Sequence, residues 1–258
     1  VRIISIHLLN EEGGLKIAYE KDNPFEKPTK QELSILKDGL NNMLPNEDVT
    51  ADFYDKDYFE GNSVKSGLSD FDNRSKAYAE EHARDRIQKI IEMMENLPDC
   101  QSDFKILEIG CAFGHTVDAL RLMGYSAYGV DISEYAINKY KQDYKHVGNF
   151  KDFRLESIPA QGISLACYET FNLIYGFNLM EHIPELDLRM FIENLRTNLN
   201  GNGLAFFTID PVFGADNSHC TIHSRKWWDK LFAEHGFSPH KEGTEMFEKI
   251  NGHCYRKI

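Results

Sequence analysis

The sequence contains no CxxC pair, no long apolar run and no basic stripe. Each absence removes a class of function. Its cysteines, Cys100, Cys111, Cys167, Cys220 and Cys254, are odd in number and widely scattered, which argues against both a disulfide framework and a zinc ribbon. A reducing, cytoplasmic setting is therefore expected (host cytoplasm for a viral source). Spanning a bilayer takes about 20 consecutive apolar residues, and no stretch approaches that. The opening Val1-Arg-Ile-Ile-Ser-Ile-His7 lacks the apolar core and small-residue cleavage site of a signal peptide. With Val1 in place of an initiator Met, a piece cut from a longer polypeptide is one expectation and a trimmed terminus another. Basic residues number 29 against 41 acidic ones, and the net charge of -12 sets up a field that repels phosphate backbones. No nucleic-acid partner is expected.

What is present is the composition of a folded globular protein, 41% hydrophobic and 12% aromatic against 27% charged. A chain of 258 residues buries a substantial core in one domain with an appendage. Residues 1–72 are irregular: a short apolar strand, a polar stretch with Pro24 and Pro28, a helix near Gln31 to Met43, then Pro45. They read as an N-terminal extension or lid, helical and irregular, ahead of a main domain at 73–258. Within the extension, Asp52-Phe-Tyr-Asp-Lys-Asp-Tyr-Phe-Glu-Gly61 is acidic and aromatic, either a lid or an arm packed on the main domain.

From Arg74 to Leu97 the residues Ile87, Ile90, Ile91 and Met94 recur at the spacing of one buried helical face, which Pro98 closes. Strand-like and helix-like segments then alternate. The strands are Phe104 to Ile109, Ser126 to Val130, a short one near Asn149 to Phe153, Phe171 to Phe177, and Leu204 to Ile209. Helices at His115 to Met123, Glu134 to Tyr144 and Leu186 to Leu199 lie between them. Apolar strands separated by amphipathic helices specify an α/β protein with a parallel sheet covered on both faces. Such sheets bind ligands beyond the carboxyl ends of their strands, which confines the search to the loops after each strand.

The first of those loops is Glu108-Ile-Gly-Cys-Ala-Phe-Gly114, where glycines let the backbone turn sharply and approach a ligand closely. A full GxGxxG and a Walker lysine are both missing, so a phosphate cradle is not expected. The second is Tyr128-Gly-Val-Asp131, a strand ending in an acid about 20 residues further on, where a carboxylate accepts hydrogen bonds from both ribose hydroxyls of an adenosyl group.

In order and spacing these two signals resemble the class I S-adenosylmethionine-dependent methyltransferases, whose first motif reads acid-x-Gly-x-Gly-x-Gly. Glu108, Gly110 and Gly114 match it, and Ala112 replaces the middle glycine. Phe171-Asn-Leu-Ile-Tyr-Gly-Phe-Asn-Leu-Met-Glu-His-Ile-Pro184 and Asn200-Gly-Asn-Gly-Leu-Ala-Phe-Phe207 extend the resemblance over about residues 85 to 240. The resemblance implies a Rossmann-like doubly wound fold with a mainly parallel seven-stranded sheet. It further implies S-adenosylmethionine as cofactor, S-adenosylhomocysteine as product, and a cofactor site of Glu108, Gly110, Cys111, Ala112, Gly114, Asp131, Ile132, Leu155 and Phe177. Arg154 stands where an Asp is common, which shifts adenine recognition to the backbone of Leu155.

Methyl transfer from a sulfonium is an in-line displacement in which the cofactor carries the activation. An alcohol acceptor must still lose its proton, so a base or a metal is expected. The candidates are His182 first, then His219 or His223, with Asp210 as a further choice. A capping role for His182 is the alternative. No metal is expected, although Glu181, His182 and a nearby His would suit a divalent ion. His219 and His223 precede a helix capped by Ser224, and HExxH is absent, so zinc hydrolysis is not expected.

The leader Tyr58-Phe-Glu-Gly61, the Glu-His-Ile-Pro loop and His219-Cys-Thr-Ile-His-Ser-Arg-Lys-Trp-Trp228 are similar to bacterial and viral methyltransferases of glycan assembly. That resemblance implies O-methylation of a sugar hydroxyl, adjoining glycosyltransferase domains, and Tyr54, Tyr58, Phe213 and Trp227 as surfaces for sugar faces. An O- or N-methyltransferase of a small metabolite, and a noncatalytic module retaining the fold, are the competing readings.

Overall fold

The computed structural model describes residues 5–9, 14–18, 51–60, 71–94, 103–143, 155–157, 170–211 and 218–258. The first described elements are β1 (Ser5–Leu9) and β2 (Gly14–Ala18), an antiparallel hairpin with Ser5 opposite Ala18. The short apolar strand expected at the start of the extension is β1, and Gly14–Ala18 is the partner the sequence did not single out. The helix expected near Gln31 to Met43 lies outside the described residues.

The main sheet is mixed, with β3 (Lys105–Ile109), β4 (Ser126–Asp131), β5 (Leu155–Ser157), β6 (Phe171–Phe177), β7 (Leu199–Thr208), β8 (Phe237–Pro239) and β9 (Gly252–Lys257). Their spatial order is β5-β4-β3-β6-β7-β9-β8. The pairings from β5 to β7 are parallel, while β9 runs antiparallel to both β7 and β8. The outermost strands, β5 and β8, are three residues each. The Asn149 to Phe153 strand expected from the sequence falls outside the described residues, and β5 follows it at Leu155–Ser157. β7 starts earlier than expected, at Leu199, because Phe171 pairs with Leu199 before a register shift.

Alternation along the strands sends successive side chains to opposite faces. Ile106, Leu173 and Phe206 join one core with Ile87, Ile90 and Leu120, whereas their neighbours Leu107, Ile174 and Phe207 join a second with Leu188, Phe191 and Trp228. The first core is covered by a π-helical stretch His82–Gln88, α3 (Lys89–Glu92) and α4 (His115–Leu122), and α2 (Phe71–Glu81) packs on α4. The second is covered by α6 (Glu185–Asn198) and α7 (Arg225–Glu234). Each fully buried aliphatic or aromatic side chain removes apolar area worth about 1.5 to 3 kcal/mol. Ile87, Ile90, Ile91 and Met94 are buried as their spacing predicts. The π-helical stretch was not legible, since one extra residue per turn leaves the apolar pattern nearly unchanged.

Of the remaining helices, α1 is Lys56–Glu60, α5 is Glu134–Asp143 and α8 is Lys241–Met246. Ser224 caps α7 as expected, its side chain accepting from the Trp227 amide. From β3 the chain steps outward through β4 to β5, then crosses back to β6 on the other side of β3. That reversal leaves a crevice beyond the carboxyl ends of β3 and β6, where ligands of such sheets bind.

Candidate cofactor and acceptor site

The turn after β3 runs through the left-handed region, with φ of 72° at Gly110, 47° at Ala112 and 68° at Gly114. Only glycine visits that region without steric cost, which is why a residue other than glycine at position 112 is notable. The turn is pinned to β4. Amides of Gly110 and Cys111 donate to the Val130 carbonyl at 2.9 and 3.1 Å, and the Ala112 amide donates to Asp131 Oδ2 at 2.7 Å. The second Asp131 oxygen accepts from the Ser133 amide at 2.8 Å. The Ile132 amide pulls on the same carboxylate, which with about four lone-pair sites still has capacity for a further donor.

Glu108, at the end of β3, is buried, and its Oε2 has no hydrogen-bond partner. The Tyr175 hydroxyl faces the same carboxyl but outside normal hydrogen-bond geometry. Burial pushes the Glu108 carboxyl up to about 8, the Tyr175 hydroxyl opposing the rise and the Asp131 charge adding to it. Asp131 is raised too, by burial, against the pull of the Ser133, Ala112 and Ile132 amides. Cys111 is buried and its thiol is pushed well up, first by burial and then by Asp131 and Glu108, so it lines the turn as a neutral group.

The loop after β6 closes over this turn. A Cβ at Gly110 would lie 3.1 Å from Leu179 Cδ1, and one at Gly176 would lie 2.8 Å from Leu179 Cδ2. Phe177 is half-buried against Phe206 and Tyr175, with the His82 ring at 4.7 Å and the Arg86 guanidinium 5.4 Å from its ring centre. Leu155 lies in β5 opposite Gly129, and Ile132 follows directly on Asp131.

Beyond Leu179, Met180–His182 forms a single 3-10 turn that carries Glu181 and His182. Glu181 is fully buried and its Oε1 accepts from the Asp210 amide at 3.0 Å. The His182 and His219 rings stand edge-to-face at 4.7 Å, and Tyr54 approaches His182 at 6.3 Å. Donor atoms of Glu181, His182 and His219 lie within 4.8 Å of one another. His223 is directed elsewhere, stacked on Trp227 at 3.7 Å with its Nε2 2.9 Å from Glu185. Two of the three candidate histidines are therefore brought together, and Asp210 joins them through its backbone.

Sequence reasoning passed over the contacts of the 51–60 segment. The Ser133 hydroxyl donates to the Tyr54 carbonyl at 2.6 Å, Tyr135 donates to Glu60, and Phe59 packs on Phe113 at 5.1 Å. The segment thus lies against both cofactor loops. The aromatic density of 52–59 was its sequence signal. Tyr58 is buried, which removes it as an open sugar platform, while Tyr54 and Trp227 are half-exposed. Phe213 and Arg154 lie outside the described residues.

Residues 78–242, well over half of the chain, match a family model described as a methyltransferase domain. The chain belongs to that family. Domains of that family use S-adenosylmethionine as methyl donor and leave S-adenosylhomocysteine as product. The site suits that cofactor: an acid with spare acceptor sites ends β4, an orphaned buried carboxyl oxygen ends β3, and the left-handed turn exposes backbone between them.

Two curated relatives are ubiquinone biosynthesis O-methyltransferases. The one from Chelativorans sp. (strain BNC1) is 31% identical over 105 residues, 40% of this chain and 38% of that protein. The one from Rhizobium johnstonii is 25% identical over 121 residues, 42% of this chain and 48% of that protein. The matched stretch thus spans less than half the length of either. Among solved structures, an amino pentose methyltransferase from Micromonospora echinaspora shares the fold at a TM-score of 0.52 and 13% identity, covering 73% of this chain and 98% of that one. Magnesium protoporphyrin IX methyltransferase from Synechocystis does so at 0.51 and 14%, covering 87% and 96%. Among the described residues no helix is long and apolar enough to cross a membrane.

Proposed function

We propose that the chain O-methylates a sugar hydroxyl of a glycan or glycoconjugate, as one domain of a cytoplasmic glycan-assembly protein. In this reading residues 1–72 are an N-terminal extension or lid and 73–258 the catalytic domain. The observation that carries the O-methyl reading is the Glu181–His182–His219 cluster, which begins two residues beyond Leu179, the side chain lying against the turn after β3. A sugar hydroxyl ionises far above neutral pH, so its methylation needs a group that accepts or displaces the proton; a phenol, carboxylate or amine acceptor needs less help. Tyr54, beside His182, and Trp227 offer aromatic faces for a sugar ring.

Asp131 holds the ribose, Glu108 faces the amino-acid end, and Gly110 to Gly114, Ile132, Leu155 and Phe177 line the rest. His182 and His219 are the residues assigned to the acceptor proton, with His223 less favoured because Glu185 and Trp227 engage it. The curated relatives named for ubiquinone biosynthesis support a second reading, O-methylation of a small phenol. Incubation with the cofactor and a panel of sugars and phenols, read by a mass gain of one methyl group, separates the two. Methylated sugar is expected. Turnover confined to phenols would overturn the glycan reading.

A further inference from the structure

We infer that Glu181, His182 and His219 form a binding site for a divalent cation of the manganese-to-zinc class, placed to receive the acceptor hydroxyl. The role of the ion rests on the O-methylation reading above; the existence of the site does not. The two chain segments that supply the ligands are far apart in sequence and clamped together. Amides of Cys220 and Thr221 both donate to the Glu181 carbonyl, at 2.8 and 3.0 Å, and the Thr221 hydroxyl donates to the Ile183 carbonyl at 2.6 Å. This places His219, the residue before Cys220, edge-to-face on His182 at 4.7 Å. The Asp210 amide holds the Glu181 carboxylate from behind, as outer-shell donors do for ligating carboxylates.

The donor set is two imidazole nitrogens and one carboxylate oxygen, all within 4.8 Å of one another. Metal-to-ligand bonds of about 2.1 Å put tetrahedral ligands about 3.4 Å apart, so the donor atoms draw in by about 1.4 Å from that outer limit. This movement is within reach of side-chain rotation. Imidazole with carboxylate suits manganese, iron, cobalt and zinc better than magnesium or calcium, which favour all-oxygen sets. Three protein ligands leave positions open for water or substrate, the arrangement of catalytic metal sites. Glu181 and His219 are buried, which limits competition from water.

The step this permits is balanced as follows. The acceptor hydroxyl binds the ion, which acidifies it as metal ions acidify bound water. Its proton leaves to solvent, and the oxygen lone pair forms the new bond to the methyl carbon. The carbon–sulfur bond breaks with its pair on sulfur, and the sulfonium becomes a neutral thioether. The histidines are then ligands, not free bases.

The test uses the untagged full chain, stripped with chelator and dialysed, then titrated separately with Mn(II), Co(II) and Zn(II) by calorimetry, with Co(II) absorption as a second readout. One equivalent is expected to bind, with tetrahedral or five-coordinate cobalt bands. His219→Ala and His182→Ala should each weaken binding at least 10-fold with unchanged circular dichroism, whereas His235→Ala, whose ring bonds Glu193, should not. Absence of saturable binding of all three ions, or equal affinity in wild type and both histidine variants, overturns the inference. Sugar methylation that persists in excess chelator overturns the ion's role in the reaction and keeps the O-methyl reading. A bound ion together with methylation of phenols alone keeps the site and sinks the glycan acceptor.

Discussion

At the scale of single residues the site turns on two carboxyls with different surroundings. Asp131 already accepts from the Ala112 and Ser133 amides and is drawn on by the Ile132 amide, so it is oriented before any ligand arrives. Asp131→Ala should weaken S-adenosylmethionine binding by losing two charge-assisted bonds of about 1.5 to 3 kcal/mol each. Calorimetry on a folded variant checks this, and an unchanged dissociation constant removes Asp131 from the site. Glu108 holds its proton up to about 8 because burial disfavours its charge. A cationic ligand favours the ionised carboxyl, so below that value binding must displace a proton and above it need not. Affinity is therefore expected to rise as pH climbs towards 8 and to level off beyond it, with proton uptake by buffer on binding. Glu108→Gln should flatten the profile. Ala112 carries a left-handed φ that costs an L-residue about 1 to 2 kcal/mol. Ala112→Gly should accordingly be tolerated or stabilising, read as a rise in melting temperature, whereas Gly110→Val should abolish cofactor binding by meeting Leu179.

At the scale of elements, hydrogen bonds tie the loops after β3 and β4 together, Leu179 packs the loop after β6 against the first, and the 51–60 segment contacts the first two. Phe59 sits in a small separate cluster with Tyr58, Phe113 and Ala136. Phe59→Ala should lower cofactor affinity along with stability, the latter by about 3 to 5 kcal/mol at most for a buried aromatic. A melting shift with unchanged cofactor affinity would make the segment a packing arm alone. Strand and helix identities from β3 to α7 were legible because apolar period and caps agree there, as at Ser224. The short edge strands were not, since three residues are too few to carry a period.

At the scale of the whole molecule, two cores lie back to back across one sheet, and adjacent residues on a strand belong to different cores. Leu173→Ala and Ile174→Ala should each destabilise by about 2 to 5 kcal/mol, measured by denaturant unfolding. A loss below about 1 kcal/mol at either would mean that face is not close-packed. The net charge of -12 works against phosphate-backbone acceptors and leaves neutral sugars or phenols unaffected.

The sequence by itself determined the α/β class, the glycine turn with its flanking Glu108 and the acid at Asp131, because strand periodicity and local turn chemistry are written in neighbouring residues. Only the tertiary structure decided which histidines meet. His219 and His223 are four residues apart and look equivalent in sequence. The amides of Cys220 and Thr221 grip the Glu181 carbonyl and turn His219 toward His182, while Glu185 and Trp227 hold His223 away. That choice depends on hydrogen bonds between segments about 40 residues apart, which no local pattern encodes.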